Sequence, residues 1–133
     1  MLLFLSTEAQ FACSGLDRVD IYLGKKLLAT ATAADAPVIK LNTLSKTDTL
    51  LFHAFTNWEG LRNCTLDVKS DYGELIDHIN SSNNTGYEAI LTYVFDSDNL
   101  DDPDIKTLDI YINLSCERDV VPELICTISL VPK

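Results

Sequence analysis

The sequence predicts an all-β fold, an antiparallel β-sandwich of about eight strands with one short helix near 72–80. Strict alternation of apolar and polar residues fills much of the stretch 106–131, and a period of two is typical of strands with one buried face. Turn-forming clusters rich in Gly, Asn, Asp and Ser separate other short apolar stretches. One apolar sheet face needs a second sheet to cover it. We therefore expect a single domain over 1–133, in which 1–12 form a first strand or an extended N-terminal arm.

Residues 106–131 predict a β-hairpin around which the other strands are arranged. The even-numbered positions of both halves are apolar: Leu108, Ile110, Ile112, Leu114 and Cys116, then Leu124, Cys126, Ile128 and Leu130. A register that places Cys116 opposite Cys126 makes these positions one continuous apolar face. Free cysteine packs as a small hydrophobe on such a face, so buried thiols are favoured over a Cys116–Cys126 disulfide, which stays the alternative.

The remaining strands follow from short apolar stretches bounded by turn residues. They cover 18–23, 27–33, 38–41, 49–56, 64–69 and 87–95. Gly24 and the two lysines after it join the first two of these as a hairpin. Residues 49–56 are apolar on both faces, which predicts a central strand covered on both sides or flanked by a packed loop. We expect 49–69 to form a second hairpin-like unit.

One stretch predicts a helix. Asp71 and Glu74 have the spacing of a capping box, and an apolar stripe follows at Leu75, Ile76 and Ile79. A run of Asn and Ser comes next, which would end the helix.

Composition and charge limit the partners. The chain has 20 Asp and Glu against 10 Lys and Arg, and a net charge of -10 repels the phosphates of nucleic acids. No apolar run approaches the roughly 18 residues that a membrane-spanning helix needs, so we expect no transmembrane segment. No Lys or Arg precedes Arg18, so the basic start of a secretory signal is missing. We expect a location outside the cytoplasm or at a cell surface, although no motif fixes the compartment.

The densest cluster of ionisable side chains is the acidic stretch 96–104 between two predicted strands. Its carboxylates Asp96, Asp98, Asp102 and Asp104 offer the hard oxygen ligands that Ca2+ prefers. The alternative is a solvated acidic turn that helps to keep the protein in solution, and this is the interpretation we favour.

The spacing of Asp96, Asp98 and Asp104, directly after a strand with aromatic residues, resembles the third calcium loop of C2 domains. The resemblance covers 93–105, and it implies a calcium site in this loop. A C2 domain would add an aspartate pair from an earlier loop, for which this chain offers candidates only near its first predicted strand. The long stretch 57–86 departs from the strand spacing of that family.

Three apolar residues are candidates for contacts with a partner. Trp58 lies at the exit of a predicted strand, where an exposed indole could stack on a sugar or a protein; the alternative is a plug for the open end of the sandwich. Leu3 and Phe4 belong to an apolar N-terminal stretch that could add to the sheet of a neighbouring molecule.

The sequence holds no recognisable catalytic motif, so we expect no enzyme. It lacks the Gly-x-Ser-x-Gly, His-Glu-x-x-His and phosphate-binding glycine patterns, and it has no Cys-x-x-Cys pair. His53 lies in an apolar strand and is expected to be a packed core histidine, whereas His78 is expected on the exposed side of the helix. A pair of Cys64 with His53 is the remaining way to activate a nucleophile.

These features predict a non-catalytic structural or protein-interaction module, such as a subunit of a surface, filament or virion-like assembly. Its partner would be another protein or a further copy of itself, and no organic cofactor is expected. One alternative is a calcium-dependent binding module that uses 96–104. A small enzyme with an unrecognised cysteine or aspartate site is the other.

Overall fold

The structure is a computed structural model, and it describes residues 15–32, 35–42, 49–82, 85–94, 105–115 and 120–131. These residues form nine strands and one 3-10 helix. In chain order they are β1 (Arg18–Leu23), β2 (Lys26–Ala31), β3 (Val38–Asn42), β4 (Thr49–Phe55), the 3-10 helix (Glu59–Leu61), β5 (Thr65–Ser70), β6 (Leu75–Asn80), β7 (Glu88–Val94), β8 (Thr107–Ser115) and β9 (Val120–Val131). The all-β prediction is confirmed, and β6 is the strand that the sequence did not predict.

The strands pair into two sheets, in the orders β2–β1–β4–β7 and β3–β9–β8–β5–β6. Alternate residues of each strand point between the sheets, as a period of two requires. In β4 the inward residues Leu50, Phe52 and Ala54 are fully buried, and Ile110 and Ile112 of β8 are buried in the facing sheet. Each large apolar side chain in this core stabilises the fold by roughly 1.5–3 kcal/mol relative to an exposed one. The sandwich prediction is therefore confirmed.

One strand pairing departs from the antiparallel prediction, because β3 runs parallel to β9. Val38 pairs with Thr127 at the start of β3. Two backbone hydrogen bonds of 3.0 and 3.1 Å join Thr32 and Asp35 after β2, and β3 then lies in the other sheet. A tight hairpin can join only antiparallel strands, whereas a connection that crosses between sheets can place a strand parallel to its neighbour. The five-stranded sheet is thus mixed.

The hairpin of β8 and β9 is present, but the predicted register is wrong. Cys126 pairs with Ile110 and not with Cys116. β9 begins earlier than predicted, since the β-branched Val120 and Val121 belong to it. At Cys126 the observed register differs from the predicted one by an even number of residues. Ile110 and Cys126 therefore still face the core. Cys126 is a free, buried thiol, which agrees with the favoured alternative, and Cys116 lies outside the described residues.

A β-bulge interrupts β9 shortly after this point. Cys126 pairs with Ile110, but the next pair is Leu124 with Tyr111, which leaves Ile125 as an extra residue. A bulge reverses the alternation, so the side chains before it face the opposite way from those after it. Ile125 is buried, whereas Leu124 is exposed, so its predicted place on the core face is wrong.

The predicted helix near 72–80 is wrong, and the strand β6 takes its place beside β5. The hydroxyl of Ser70 accepts hydrogen bonds from the backbone N–H groups of Tyr72 and Glu74, both at 3.2 Å. Gly73 adopts a left-handed φ of 80°. The hydroxyl of Ser70 satisfies backbone N–H groups that a helix would pair with backbone oxygens, and a left-handed φ does not occur within a right-handed helix. Both features favour a tight turn between two strands.

The second hairpin-like unit predicted over 49–69 is also wrong. β4 lies in the four-stranded sheet and β5 in the five-stranded sheet, so the segment between them crosses from one sheet to the other. Leu61 of the 3-10 helix is buried at this crossing, where it packs into the core. β4 is nevertheless a central strand, as predicted, because it lies between β1 and β7.

Candidate functional site

The outer face of the five-stranded sheet carries a row of exposed apolar residues. The bulge at Ile125 turns Val120, Pro122 and Leu124 outward, and Val120 and Leu124 are 65% and 39% exposed. Val38 of β3 lies on the same face opposite Thr127 and is 64% exposed. We call Val38, Tyr111, Val120, Pro122 and Leu124 the apolar strip, because Tyr111 of β8 is the partner of Leu124 and completes the row.

The charges beside the apolar strip are balanced. Lys69 of β5 places its ammonium group 5.1 Å from the centre of the Tyr111 ring, a cation–π contact. Asp109 accepts a hydrogen bond of 2.9 Å from the Thr127 hydroxyl. Two lysines and two aspartates lie on strands of this face: Lys40, Lys69, Asp67 and Asp109. The face is therefore close to neutral in a chain whose net charge is -10.

Next to the strip, three strands hold a network of polar side chains. Asn113 of β8 is 9% exposed, and its Nδ2 donates to Oδ2 of Asp67 at 2.9 Å and to Oγ1 of Thr65 at 3.0 Å. Nδ1 of His78 on β6 contacts Oδ1 of the same Asp67. These residues line a groove of about 380 Å³ together with Asn63, Leu114, Ser115 and Val120. The carboxylate of Asp67 is the centre of the network.

The network changes the protonation of Asp67. Burial alone raises the pKa of this carboxyl, but hydrogen bonds from His78 and Asn113 and the nearby charges of His78 and Lys69 lower it. The net result is a pKa below the ordinary value of 3.8, because these interactions favour the charged form. His78 is exposed, as predicted, but on a strand.

The outer face of the four-stranded sheet carries a second histidine–carboxylate pair. Nε2 of His53 lies 2.5 Å from Oε1 of Glu88, and the ring of His53 lies 4.3 Å from that of Phe55. Arg18 stacks over the Phe55 ring at 4.3 Å and lies 3.4 Å from a carboxylate oxygen of Asp20. The prediction of a packed core histidine is wrong, since His53 alternates with the buried residues of β4 and faces outward.

Trp58 is half-buried at the open end of the sandwich. Its indole N–H donates to the backbone oxygen of Gly15 at 3.3 Å, and the Thr56 hydroxyl donates to the backbone oxygen of Trp58. The ring packs against the core and lies so close to Gly60 that no larger side chain fits there. This is the arrangement of a plug, and a role of Trp58 in binding stays a prediction.

The described cysteines are poor candidates for a nucleophile. Cys64 and Cys126 are buried free thiols, and burial raises the pKa of both. For Cys126 desolvation, followed by the charge of Asp109, raises the pKa to about 12. The structure does not bring Cys64 and His53 together, because Cys64 faces the core and His53 faces outward from the other sheet. Thiolate chemistry requires a lowered pKa and access, and neither thiol has them.

The other predicted site residues lie outside the described residues. These are the acidic side chains Asp96, Asp98, Asp102 and Asp104 and the N-terminal residues Leu3 and Phe4. The calcium site and the N-terminal contact therefore stay predictions. Within the described ranges, no three His, Cys, Asp or Glu side chains come close enough to hold a metal ion.

Two exposed edges of the five-stranded sheet carry features that oppose strand addition. At the β6 edge, the Asp77 carboxylate accepts a hydrogen bond of 2.8 Å from the backbone N–H of His78. β3 pairs with β9 only from Thr127 onward, so the earlier part of β9 is an edge of the sheet. Pro122 lies in this part and has no backbone N–H to donate. A charge at the edge and a proline are devices by which natural sheets avoid pairing with other chains.

Sequence reasoning missed the apolar strip and the network around Asp67. Two signals could have indicated the strip. Leu124 and Ile125 are adjacent apolar residues that break the alternation, which marks a bulge, and Pro122 within a strand marks an exposed edge. The contact of His78 with Asp67 depends on β6, which the predicted helix excluded. The hydrogen bonds from Asn113 to Asp67 and Thr65 depend on the pairing of β5 with β8, which alternation alone does not indicate.

Comparison with known proteins gives only distant structural likenesses. No family model and no curated protein matches the chain. The CARDB domain of the PF1109 protein from Pyrococcus furiosus, solved in complex with di-metal ions, is similar over 89% of this chain and 96% of that chain, with 17% identity and a TM-score of 0.43. The catalytic module of SpuA, a multi-modular glycogen-degrading pneumococcal virulence factor, is similar over 63% of this chain, with 8% identity and a TM-score of 0.38. This chain spans only 12% of that SpuA chain.

These likenesses are too distant to support an argument about fold or function. The strand order itself defines the class, since β4 and β7 face β9, β8, β5 and β6 in the order that immunoglobulin-type sandwiches use for strands B and E facing G, F, C and C′. In the described part of the chain, no helix is long and apolar enough to cross a membrane. The chain is a β-sandwich module.

Proposed function

We propose that this chain is a non-catalytic β-sandwich module that associates with further copies of itself through the outer face of the five-stranded sheet. The bulge at Ile125 carries the proposal, because it turns Leu124 and the other apolar residues of β9 outward beside Val38 and Tyr111. Apolar clusters of this kind, rimmed by polar side chains, mark interaction sites.

The size of the face suits a stable contact. Five strands spaced about 4.8 Å apart, with β8 about 30 Å long, give a flat area of roughly 600 Å². A specific interface buries about 600–1,000 Å² on each partner, so the whole face and not the strip alone would be covered.

The charge distribution favours a second copy as the occupant. Two molecules of net charge -10 repel each other at most relative orientations. Contact through the outer face of the five-stranded sheet lessens this repulsion, because Lys40 and Lys69 balance Asp67 and Asp109 there. A two-fold axis through the face would also let each lysine approach an aspartate of the other copy.

Association through the face is favoured over strand addition at an edge. Asp77 satisfies an N–H group at the β6 edge, and Pro122 removes one from the exposed part of β9. Packing of side chains across the apolar strip does not require free backbone N–H groups at the edges of the sheet. The proposal differs in this respect from the predicted addition of Leu3 and Phe4 to a neighbouring sheet.

Sedimentation across a concentration series tests the proposal with a matched pair of variants. Leu124→Asp places a charge in the strip, and Val94→Asp places the same charge on the outer face of the four-stranded sheet, where Val94 is 54% exposed. We expect the wild type and Val94→Asp to dimerise alike, and Leu124→Asp to dimerise at least about tenfold more weakly, because an unpaired charge would be buried.

Salt gives a second criterion. Raising the ionic strength from about 0.05 to about 0.5 M should strengthen the dimer, since it screens the repulsion between two acidic molecules. A wild type that stays monomeric at every concentration would reject self-association. A dimer that Val94→Asp weakens as much as Leu124→Asp would reject this face.

A further inference from the structure

The groove centred on Asp67 is built differently from the rest of the outer sheet surface. Its volume of about 380 Å³ lies within the range of sites for small ligands. Asn113 contributes a nearly buried amide on the solvent-facing side of β8, where a strand usually carries exposed side chains. The polar atoms converge from β5, β6 and β8, so rigid strands hold them in place.

The polar groups of the groove are fixed but not saturated. A carboxylate offers about four acceptor positions, and His78 and Asn113 use one on each oxygen of Asp67. The Thr65 oxygen accepts from Asn113 while its hydroxyl hydrogen can still donate. With Nδ1 of His78 against Asp67, Nε2 of the same ring is left for another partner.

The rim adds further donors and one apolar wall. Asn63 is exposed at the mouth with a left-handed φ of 59°, a conformation that asparagine adopts more readily than most residues. Ser115 supplies a hydroxyl and Val120 an apolar surface. The groove thus alternates donors and acceptors around a small apolar patch.

We propose that this groove binds a neutral, hydroxyl-rich ligand of the size of a single sugar residue. Sugar hydroxyls donate and accept at once, which matches a set in which Asp67 accepts, Thr65 and Ser115 donate, and the amide of Asn63 does both. The Val120 side chain would cover the C–H face of the ring.

Charged ligands fit the groove less well. An anion would meet the carboxylate of Asp67, whose low pKa keeps it ionised at neutral pH. A metal ion would find only Asp67 and His78 as ligands, and Nδ1 of that histidine is already occupied. The groove opens on the same face as the apolar strip, so a dimer that covers the whole face would compete with the ligand. The ligand is therefore titrated at a protein concentration at which the chain is monomeric.

Backbone amide NMR titration of the full chain tests the proposal. The probes are the methyl glycosides of glucose, galactose, mannose and N-acetylglucosamine, with sorbitol as an open-chain polyol and with acetate and inorganic phosphate as anions. At least one glycoside should shift the amide signals of Thr65, His78, Asn113 and Ser115 saturably, with a dissociation constant of about 1–10 mM. The anions should leave these signals unchanged.

Three variants separate a ligand site from a structural network. Ser115→Ala and Asp67→Asn should each weaken glycoside binding at least about fivefold. Glu88→Gln removes the equivalent carboxylate on the opposite sheet and should not change binding. Ser115 is at the rim, so its substitution tests the site even if Asp67→Asn alters the fold.

Three results would overturn the proposal. They are the absence of saturable shifts with every glycoside up to about 100 mM, stronger binding of an anion than of any glycoside, and equal glycoside binding by Ser115→Ala and the wild type. Binding of sorbitol as strong as that of the glycosides would show that a polyol, and not a sugar ring, is the ligand.

Discussion

The two outer sheet faces each carry a histidine–carboxylate pair, yet they differ in what they leave exposed. On the four-stranded sheet, His53 lies against Glu88 and Phe55, and Arg18 covers the Phe55 ring. Phe55 is thus covered by its own neighbours, and the exposed apolar residues of that face, Leu27 and Val94, lie apart on its two edge strands, β2 and β7. On the five-stranded sheet the polar residues bond to one another, and the apolar residues of β9 remain uncovered.

The exposure of the β9 residues comes from one inserted residue, Ile125. Without Ile125 the strand would keep a single alternation, and Leu124 would face the core as its even number predicts. The bulge lets β9 place Cys126 and Ile128 inward and Leu124 outward in the same strand. A sandwich can therefore expose apolar residues on one outer face through a bulge near the edge of a sheet.

The largest effect is expected from the bulge residue itself. Ile125→Ala removes a buried side chain and should lower the free energy of unfolding by about 2–4 kcal/mol. Ile90→Ala, on the outer face of the four-stranded sheet, removes the same atoms from a half-buried position and should cost about 1 kcal/mol or less. Urea denaturation of both variants gives the comparison. Equal losses would show that Ile125 is not part of the core.

A smaller effect should separate the two polar clusters. Asn113→Ala leaves Asp67 and Thr65 without their shared donor in a partly buried place, and should destabilise the fold by about 1–2 kcal/mol. Glu88→Gln breaks a partly exposed pair and should cost about 0.5 kcal/mol or less. The same denaturation assay measures both. A neutral Asn113→Ala would mean that the network adds nothing to stability.

The pH dependence of stability tests Asp67 directly. Its pKa in the folded protein is below the ordinary 3.8, so its ionised form stabilises the fold above that pH, and the contribution is lost as the pH falls through the folded pKa. We expect the wild type to exceed Asp67→Asn in stability at about pH 5, and the gap to shrink towards about pH 2. Melting temperatures at steps of pH measure it, and a gap that widens on acidification would contradict the account.

The smallest effect concerns the acidic stretch 96–104, which joins β7 of one sheet to β8 of the other. If this stretch is the solvated turn that we favour, Ca2+ at about 5 mM should release no heat and should raise the melting temperature by less than about 1 °C. A saturable calorimetric signal that Asp98→Asn abolishes would instead support the calcium-dependent module.

Periodicity predicted most of the strands because each has one buried face. The alternation of β5, β8 and β9 follows the burial of Leu66, Ile110 and Ile128, and β4 is central although only one of its two apolar faces is fully buried. The pairing of the strands was harder to predict than the strands themselves. The register of β8 with β9 and the parallel pairing of β3 depend on where turns fall, and alternation alone does not fix the turns.

The candidate site could be predicted only in part, because it depends on interruptions of the pattern. Gly73 and Ser70 turn the chain where charge spacing indicates a helix start, and without β6 the pair of His78 and Asp67 does not form. The bulge at Ile125 reverses which side chains of β9 face the core, although the alternation on either side of it is regular. Local patterns identify elements, whereas single residues that break them decide which side chains meet.

A concentration series of amide and methyl NMR spectra tests the central claim most directly. As the protein is concentrated from about 0.02 to about 1 mM, the signals of Val38, Tyr111 and Leu124 should shift together, while those of His53 and Val94 stay constant. This result would place self-association on the outer face of the five-stranded sheet. Shifts centred on His53 and Val94, or no shifts at any concentration, would contradict the account.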